Sequence, residues 1–270
     1  MRTRLAHLVI PCLFLCTTGC AVSTQQEVEI GTNYSKEIAK EMPLVQDAEI
    51  NRYITALGTS IARVADQRNL DWHFAVVDSR DVNAFAVPGG YVYVNRGLIE
   101  RATNMSQVAG VLGHEIGHVT RRHSVKQMQK AQGTNIGATV LCTVTSVCNS
   151  GLSQAAMQIG ANAAFAKFSR TDEAEADDEG LRYVIKAGIS PNGIPEMFEI
   201  LQQERKTRPS ELETWFLSHP MEESRIAETK AAIAKYPPEQ LKGLVRDTPE
   251  FQAFKKRVMA LPEPRKDPRK

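Results

Sequence analysis

The sequence lacks an excess of charge of either sign, lacks any long apolar run, and has few cysteines and histidines. Its 270 residues carry 33 Lys and Arg against 31 Asp and Glu, a formal charge of +2, and this balance does not suggest a nucleic-acid partner. The most apolar stretch, Leu8 to Leu15, is too short to span a bilayer as a helix. With 42% hydrophobic and 24% charged residues, the chain can bury one sizeable core, and one main domain is expected.

What stands at the N-terminus is a leader. Arg2 and Arg4 precede the apolar stretch, and Thr17-Thr18-Gly19-Cys20 follows it. This is a secretory signal over residues 1–19, ending in a small residue before a cysteine as in a bacterial lipobox. Acylation of Cys20 is expected, with durable anchoring by several acyl chains. Loss of Arg2 and Arg4 leaves the mature chain formally neutral. Ala21 after the cysteine favours the outer membrane, with the protein facing the periplasm of a Gram-negative cell. Of the five cysteines, Cys12 and Cys16 leave with the leader and Cys20 carries lipid. That strands Cys142 and Cys148, either bridged across a loop in an oxidising compartment or left as two separate thiols.

Of six histidines, two lie in one short stretch, His114-Glu115-Ile116-Gly117-His118. On a helix these two rings share a face one turn apart, with Glu115 beside them to take a proton from an attacking water. This is the HExxH pattern of a zinc peptidase, and it needs a third ligand. Arg121 and Ser124 occupy the positions where a third histidine motif would continue, so the ligand must be an acid on a later helix. Ser169 followed by Asp172 resembles a capping box, which predicts a helix running towards Gly188. Its apolar stripe, Ala176, Leu181, Val184 and Ile185, extends back onto Glu173 and Asp177. Two inward carboxylates would be costly to bury unless Zn²⁺ and an imidazole compensate them. Glu173 is the expected third ligand, and Asp177 the acceptor for a histidine ring N–H. His123 and His73 are expected to be structural.

Elsewhere, Asp47 caps a predicted helix with Ile50, Tyr53, Ile54, Leu57, Ile61 and Val64 at helical spacing. His73 to Val77 and Tyr91 to Val94 read as strands flanking Pro88-Gly89-Gly90. Gln25 to Gly31 reads as the end of a flexible tether. The uncharged, small-residue stretch from Gly133 to Ala164 predicts a helical hairpin that serves as a lid over the cleft or as a surface leaning on the membrane or a client. The expected domains are the signal over 1–19, a tether over 20–28, a peptidase domain over 29–240, and an amphipathic stretch with a disordered tail over 241–270.

Asn83-Ala84-Phe85-Ala86-Val87-Pro88-Gly89-Gly90, Gly97-Leu98-Ile99, the HExxH run to His123, Ser169-Arg170 with Glu173 and Asp177, and His219-Pro220 with Arg225-Ile226 stand in one order along the chain. In that order they resemble the gluzincin family of the Ste-type CAAX prenyl protease, HtpX, Oma, BepA and LoiP, and most of all its LoiP-like periplasmic lipoprotein branch. The resemblance implies an α+β, mostly helical, zincin-like fold with an HExxH helix, a second ligand helix and a small sheet. It implies a zinc endopeptidase with one Zn²⁺ per chain, Glu115 as base, and Asn83, Ala84, Phe85, Ala86 and Val87 as a substrate-binding edge strand. His219 or Arg225 would assist the oxyanion by the same resemblance. The neutral imidazole of His219 could also fill the open zinc position at rest. The implied clients are unfolded or misassembled envelope proteins, with the outer-membrane assembly machinery as a partner. A zinc-stabilised holdase that binds clients by strand pairing is the alternative.

Overall fold

A computed structural model describes residues 22–133, 167–220 and 223–264. The leader with Cys20, the pair Cys142 and Cys148, nearly all of the expected hairpin, and residues 265–270 lie outside the described residues. Helix α1 (Thr24–Glu41) starts at a capping box in which Ser23 and Gln26 satisfy each other's backbone N–H. Helix α2 (Ala48–Ala65) starts at Asp47, whose carboxylate accepts from the N–H of Glu49 and Ile50 as the spacing predicts.

Strands β1 (His73–Val77), β2 (Ala84–Val87) and β3 (Tyr91–Asn95) form a sheet of order β1-β3-β2. β1 runs parallel to β3, and β2 antiparallel to it. The tight β2 to β3 turn uses Gly89 and Gly90 at φ of 83° and 100°, a left-handed backbone open to residues without a Cβ. Alternation divides the sheet's two faces. Ala84, Ala86, Val92 and Val94 join the main core, whereas Phe85, Val87 and Tyr93 meet Tyr34 and Ile38 of α1. Thus α1 covers one face of the sheet and α2 with the later helices covers the other.

After α3 (Arg96–Arg101), helix α4 (Met105–Thr120) carries the HExxH run through the centre of the molecule. Every residue of it from Met105 to Val119 is buried. Helix α5 (His123–Gly133) follows after a two-residue break. The second ligand helix, α6 (Arg170–Lys186), begins at the expected Ser169 and Asp172 capping box and buries Ala176, Leu181 and Val184. It crosses α4 at close range. A Cβ on Gly117 would sit 3.0 Å from the Ala176 carbonyl, and one on Gly180 would sit 3.0 Å from the His114 nitrogen. Small residues at the crossing therefore set the separation of the two ligand-bearing backbones. Helices α7 (Gly193–Thr207), α8 (Pro209–Ser218), α9 (Glu223–Ile233), α10 (Pro238–Leu241) and α11 (Pro249–Met259) complete the described elements. None of the described helices is long and apolar enough to cross a membrane.

Two sequence-based boundaries need correction. The tether expected over 20–28, and as far as Gly31, is ordered helix from Thr24 onward, with Glu27 and Gly31 buried. The polar residues that suggested flexibility lie mostly on the outer face of α1. At the other end the domain does not stop at residue 240. In α11, Phe251 and Val258 are fully buried and Phe254 stacks on Tyr53 with ring centroids 4.4 Å apart. The expected tail is fixed at its start, since Arg96 donates to the carbonyls of Leu261 and Pro262.

Candidate metal centre

The one-turn spacing on α4 brings His114 and His118 side by side, with Nε2 atoms 3.0 Å apart and both rings buried. Their outer nitrogens decide which protons they carry. His114 Nδ1 lies 2.8 Å from Asp177 Oδ1. Burial pushes Asp177 upward, but Arg225 and then His114 outweigh it and hold the carboxyl below its usual range. An ionised carboxylate can only accept, so His114 Nδ1 donates, which in the neutral ring that a metal needs leaves Nε2 bare.

The other ring gives the same result by a longer chain. His123 Nε2 lies 3.3 Å from Glu175 Oε2, and His123 Nδ1 lies 2.9 Å from His118 Nδ1. Burial lowers the affinity of His123 for a second proton despite Glu175. A neutral His123 that donates to Glu175 must accept from His118, which leaves His118 Nε2 bare as well. Two lone pairs then face each other in the buried interior. That arrangement repels unless a cation lies between them.

Glu173 on α6 closes the group. Its Oε1 is 3.5 Å from His118 Nε2 and its Oε2 is 3.6 Å from His114 Nε2. His219, at the C-terminal cap of α8, approaches with Nδ1 3.1 Å from Glu173 Oε1 and 3.4 Å from His114 Nε2. One donor atom from each of His114, His118, Glu173 and His219 falls within 4.8 Å of all the others, and all four residues are buried. Imidazoles with one carboxylate are the donor set zinc prefers. Burial pushes Glu173 upward, but His219 beside it, by charge and by hydrogen bond, leads the pull of the surrounding rings that outweighs it and holds the carboxyl well below its usual range. For His219, burial is outweighed by Glu173 and Glu115, which raise its proton affinity.

Glu115 is also fully enclosed. Burial pushes its carboxyl above the usual range, against the pull of His219 and His114, while the Ala86 N–H donates to it. Its Oε1 has no hydrogen-bond partner and faces His219 Nε2, also unpartnered, at 3.5 Å. The Ala86 bond places β2 beside the site. Asn95 N–H donates to the Asn83 carbonyl across the ladder, so the antiparallel alternation turns the N–H and C=O of Ala84 and Ala86 to the outer edge. The predicted segment Asn83 to Val87 is thus an edge strand running past Glu115, with Phe85 and Val87 turned towards α1.

Arg225, on α9, donates through Nε and Nη2 to both oxygens of Asp177 at 2.9 and 2.7 Å. Its Nη1 is 2.7 Å from Glu173 Oε2 and donates to the Pro220 carbonyl at 3.1 Å. It lies over the Phe198 ring at 4.6 Å. The guanidinium therefore stands behind both acidic residues and ties them to the segment that follows His219.

Sequence reading missed two aromatic neighbours. Phe168 stacks on His118 with centroids 3.9 Å apart, and Trp215 lies 4.7 Å from His219. An apolar residue just before the Ser169 cap was the available signal for Phe168, since such positions often pack on the helix they introduce. Trp215 offered none beyond lying one turn before His219.

The sequence pattern of peptidase family M48 matches residues 48–233, which spans α2, the sheet, both ligand helices and α9. The beta-barrel assembly-enhancing protease of Escherichia coli K12 is 29% identical over 91% of this chain and 50% of its own length. The metalloprotease YcaL of the same strain is 33% identical over 80% of this chain and 77% of its own. The metalloprotease LoiP is 36% identical over 57% of this chain and 59% of its own. The chain spans about half the length of the beta-barrel assembly-enhancing proteases it matches.

Proposed function

The chain belongs to peptidase family M48, a family of zinc metallopeptidases, and from that premise we propose that it hydrolyses peptide bonds of unfolded or misassembled envelope proteins. The observation that carries the reading is the pair of bare Nε2 atoms 3.0 Å apart, with Glu173 against both and an unpartnered Glu115 oxygen alongside. His114, His118 and Glu173 would hold the ion, and Asp177 orients His114 through its Nδ1–H. Zinc, when bound, supplies Lewis acidity to the scissile carbonyl and to the attacking water.

The chain's own groups do the rest. Glu115 takes the proton of the attacking water at Oε1 and hands it to the leaving amine, a role suited to a carboxyl whose proton affinity burial has raised. The substrate backbone pairs with the outer edge of β2 at Ala84 and at the Ala86 carbonyl, within the segment Asn83 to Val87. Main-chain pairing reads no side chains, so specificity is broad. His219 would be a further ligand to the ion at rest, and its ring would steady the oxyanion once withdrawn. The burial of His219, His114, His118 and Glu115 supports such a resting state, because a peptide cannot reach them without displacing a segment. Arg225, engaged on Asp177 and Glu173, acts by positioning them.

The lipobox-like leader supports an outer-membrane lipoprotein anchored at Cys20 and facing the periplasm. The name of the beta-barrel assembly-enhancing relatives makes the outer-membrane assembly machinery the partner to test first. The test of function is mass spectrometry of denatured envelope proteins incubated with the zinc-loaded full chain. New internal termini are expected, and they should vanish on chelation. Clients retained intact, bound and uncut would favour a zinc-stabilised holdase instead.

A further inference from the structure

The structure assigns Glu27 of α1 a positioning role: acting through Arg122 and His123, it sets His118 of the metal centre. Glu27 is fully buried, and its Oε2 accepts from Arg68 Nη1 and from Arg122 Nε, each at 2.7 Å. Both arginines bear on the same place, the C-terminal end of α4. Arg68 Nη2 donates to the Val119 carbonyl at 2.9 Å, the same carbonyl that accepts from the Arg122 N–H at 3.0 Å where α4 ends. Arg122 is the residue that turns the chain from α4 into α5.

That turn is where the geometry becomes informative. Arg122 holds φ at 58°, a left-handed conformation that a residue with a Cβ adopts only when its surroundings impose it. Here the imposing contacts come from the N-terminal segment, because Arg122 donates from Nε to Glu27 and from Nη2 to the Val22 carbonyl. The next residue is His123, whose Nδ1 receives the His118 ring proton at 2.9 Å. Turning Arg122 to an ordinary φ would redirect α5 and take the His123 ring away from His118.

The chemistry of Glu27 also suits placement better than stability. Its second oxygen, Oε1, is buried without a hydrogen-bond partner, and a buried ion group with an unmet acceptor contributes little net stability. The same part of α1 also touches the turn after β2. A Cβ on Gly89 would sit 2.8 Å from the Val28 Cα, and one on Gly31 would sit 1.8 Å from the Pro88 carbonyl. Residues 22–31 therefore hold the end of the catalytic helix and the turn after the edge strand against one another. His123 would keep His118 in the tautomer and orientation that ligation needs, as outer partners of ligand histidines do.

This inference rests on His118 as a zinc ligand, and a double-mutant cycle on the full chain separates the two. Zinc affinity is measured by competition with a chromophoric chelator for the wild type, Glu27→Gln, His123→Ala and the double variant, beside the melting temperature of each metal-free protein. Glu27→Gln should weaken zinc binding about tenfold, at the low end of the range for outer partners, and should add nothing in the His123→Ala background. An affinity unchanged in Glu27→Gln, or an effect that adds in full to that of His123→Ala, overturns the proposal even if the melting temperature falls. Wild-type protein that binds no zinc overturns the ligand assignment instead. If Glu27→Gln does not fold, Arg122→Lys takes its place in the same cycle, since lysine cannot span Glu27 and the Val22 carbonyl, and the same two outcomes decide.

Discussion

The two histidines of the HExxH run are backed by networks of opposite character. Behind His114 stand Asp177 and Arg225, both buried, with Arg225 shared between Asp177 and Glu173. Behind His118 stand His123 and then Glu175, whose side chain is 39% exposed. The first is closed and charged throughout, so each member depends on the others. The second is neutral at its core and ends near solvent, where water can replace a lost partner. Removing a group should therefore cost much on the His114 side and little at the outer end of the His118 side.

The sharpest way to break this contrast is Arg225→Met. It leaves two buried carboxylates without their counter-charge, and loss of one partner from a buried ion pair costs about 3–5 kcal/mol. Chemical denaturation of the metal-free protein measures it. The sign of its pH dependence follows from Asp177, which burial raises but Arg225 and His114 hold low. A depressed native value stabilises above the ordinary carboxylate pKa of about 4 and is lost as pH falls through the native value. In the variant burial acts with less opposition and the value rises, so the stability gap should widen between about pH 3 and 6 and close in acid. A gap independent of pH would show that the guanidinium serves only as packing.

Next in size is Asp177→Asn, which keeps a hydrogen-bond acceptor for His114 but loses the charge shared with Arg225. Zinc affinity should fall on the order of 10–100-fold, with the protein still folded, and isothermal titration reads it. The smallest effect is expected from Glu175→Gln. A partly exposed group contributes about 0.2–1 kcal/mol, so zinc affinity should change no more than a few-fold. A loss as large as that of Asp177→Asn would erase the difference between the two networks.

The centre of the site was legible in the sequence because it obeys helical spacing. His114 and His118 share a face of α4, Glu173 and Asp177 share a face of α6, and the caps at Asp47 and Ser169 lie where their side-chain chemistry demands. Strands β1 and β3 were legible from their β-rich composition on either side of Pro88-Gly89-Gly90, and β2 only through the family resemblance. What escaped the sequence depends on contacts between distant residues. Glu27 meets Arg68 and Arg122 across separations of 41 and 95 positions, and no local pattern announces that a polar turn will be buried. Helix α11 escaped for a related reason, since Phe251, Phe254 and Val258 read as a weak amphipathic stretch until α2 supplies the surface they cover. The relay from His118 through His123 to Glu175 needed the left-handed turn at Arg122, which no residue type there predicts.

Both networks exist, on this account, to hold a zinc centre at which Glu115 moves the proton. Glu115→Gln touches neither network and removes no ligand, so zinc content and cleavage of an unfolded protein should be measured together on that variant. One zinc per chain is expected, as in the wild type, with turnover lost. A fully zinc-loaded Glu115→Gln protein that still cuts at near the wild-type rate would contradict it.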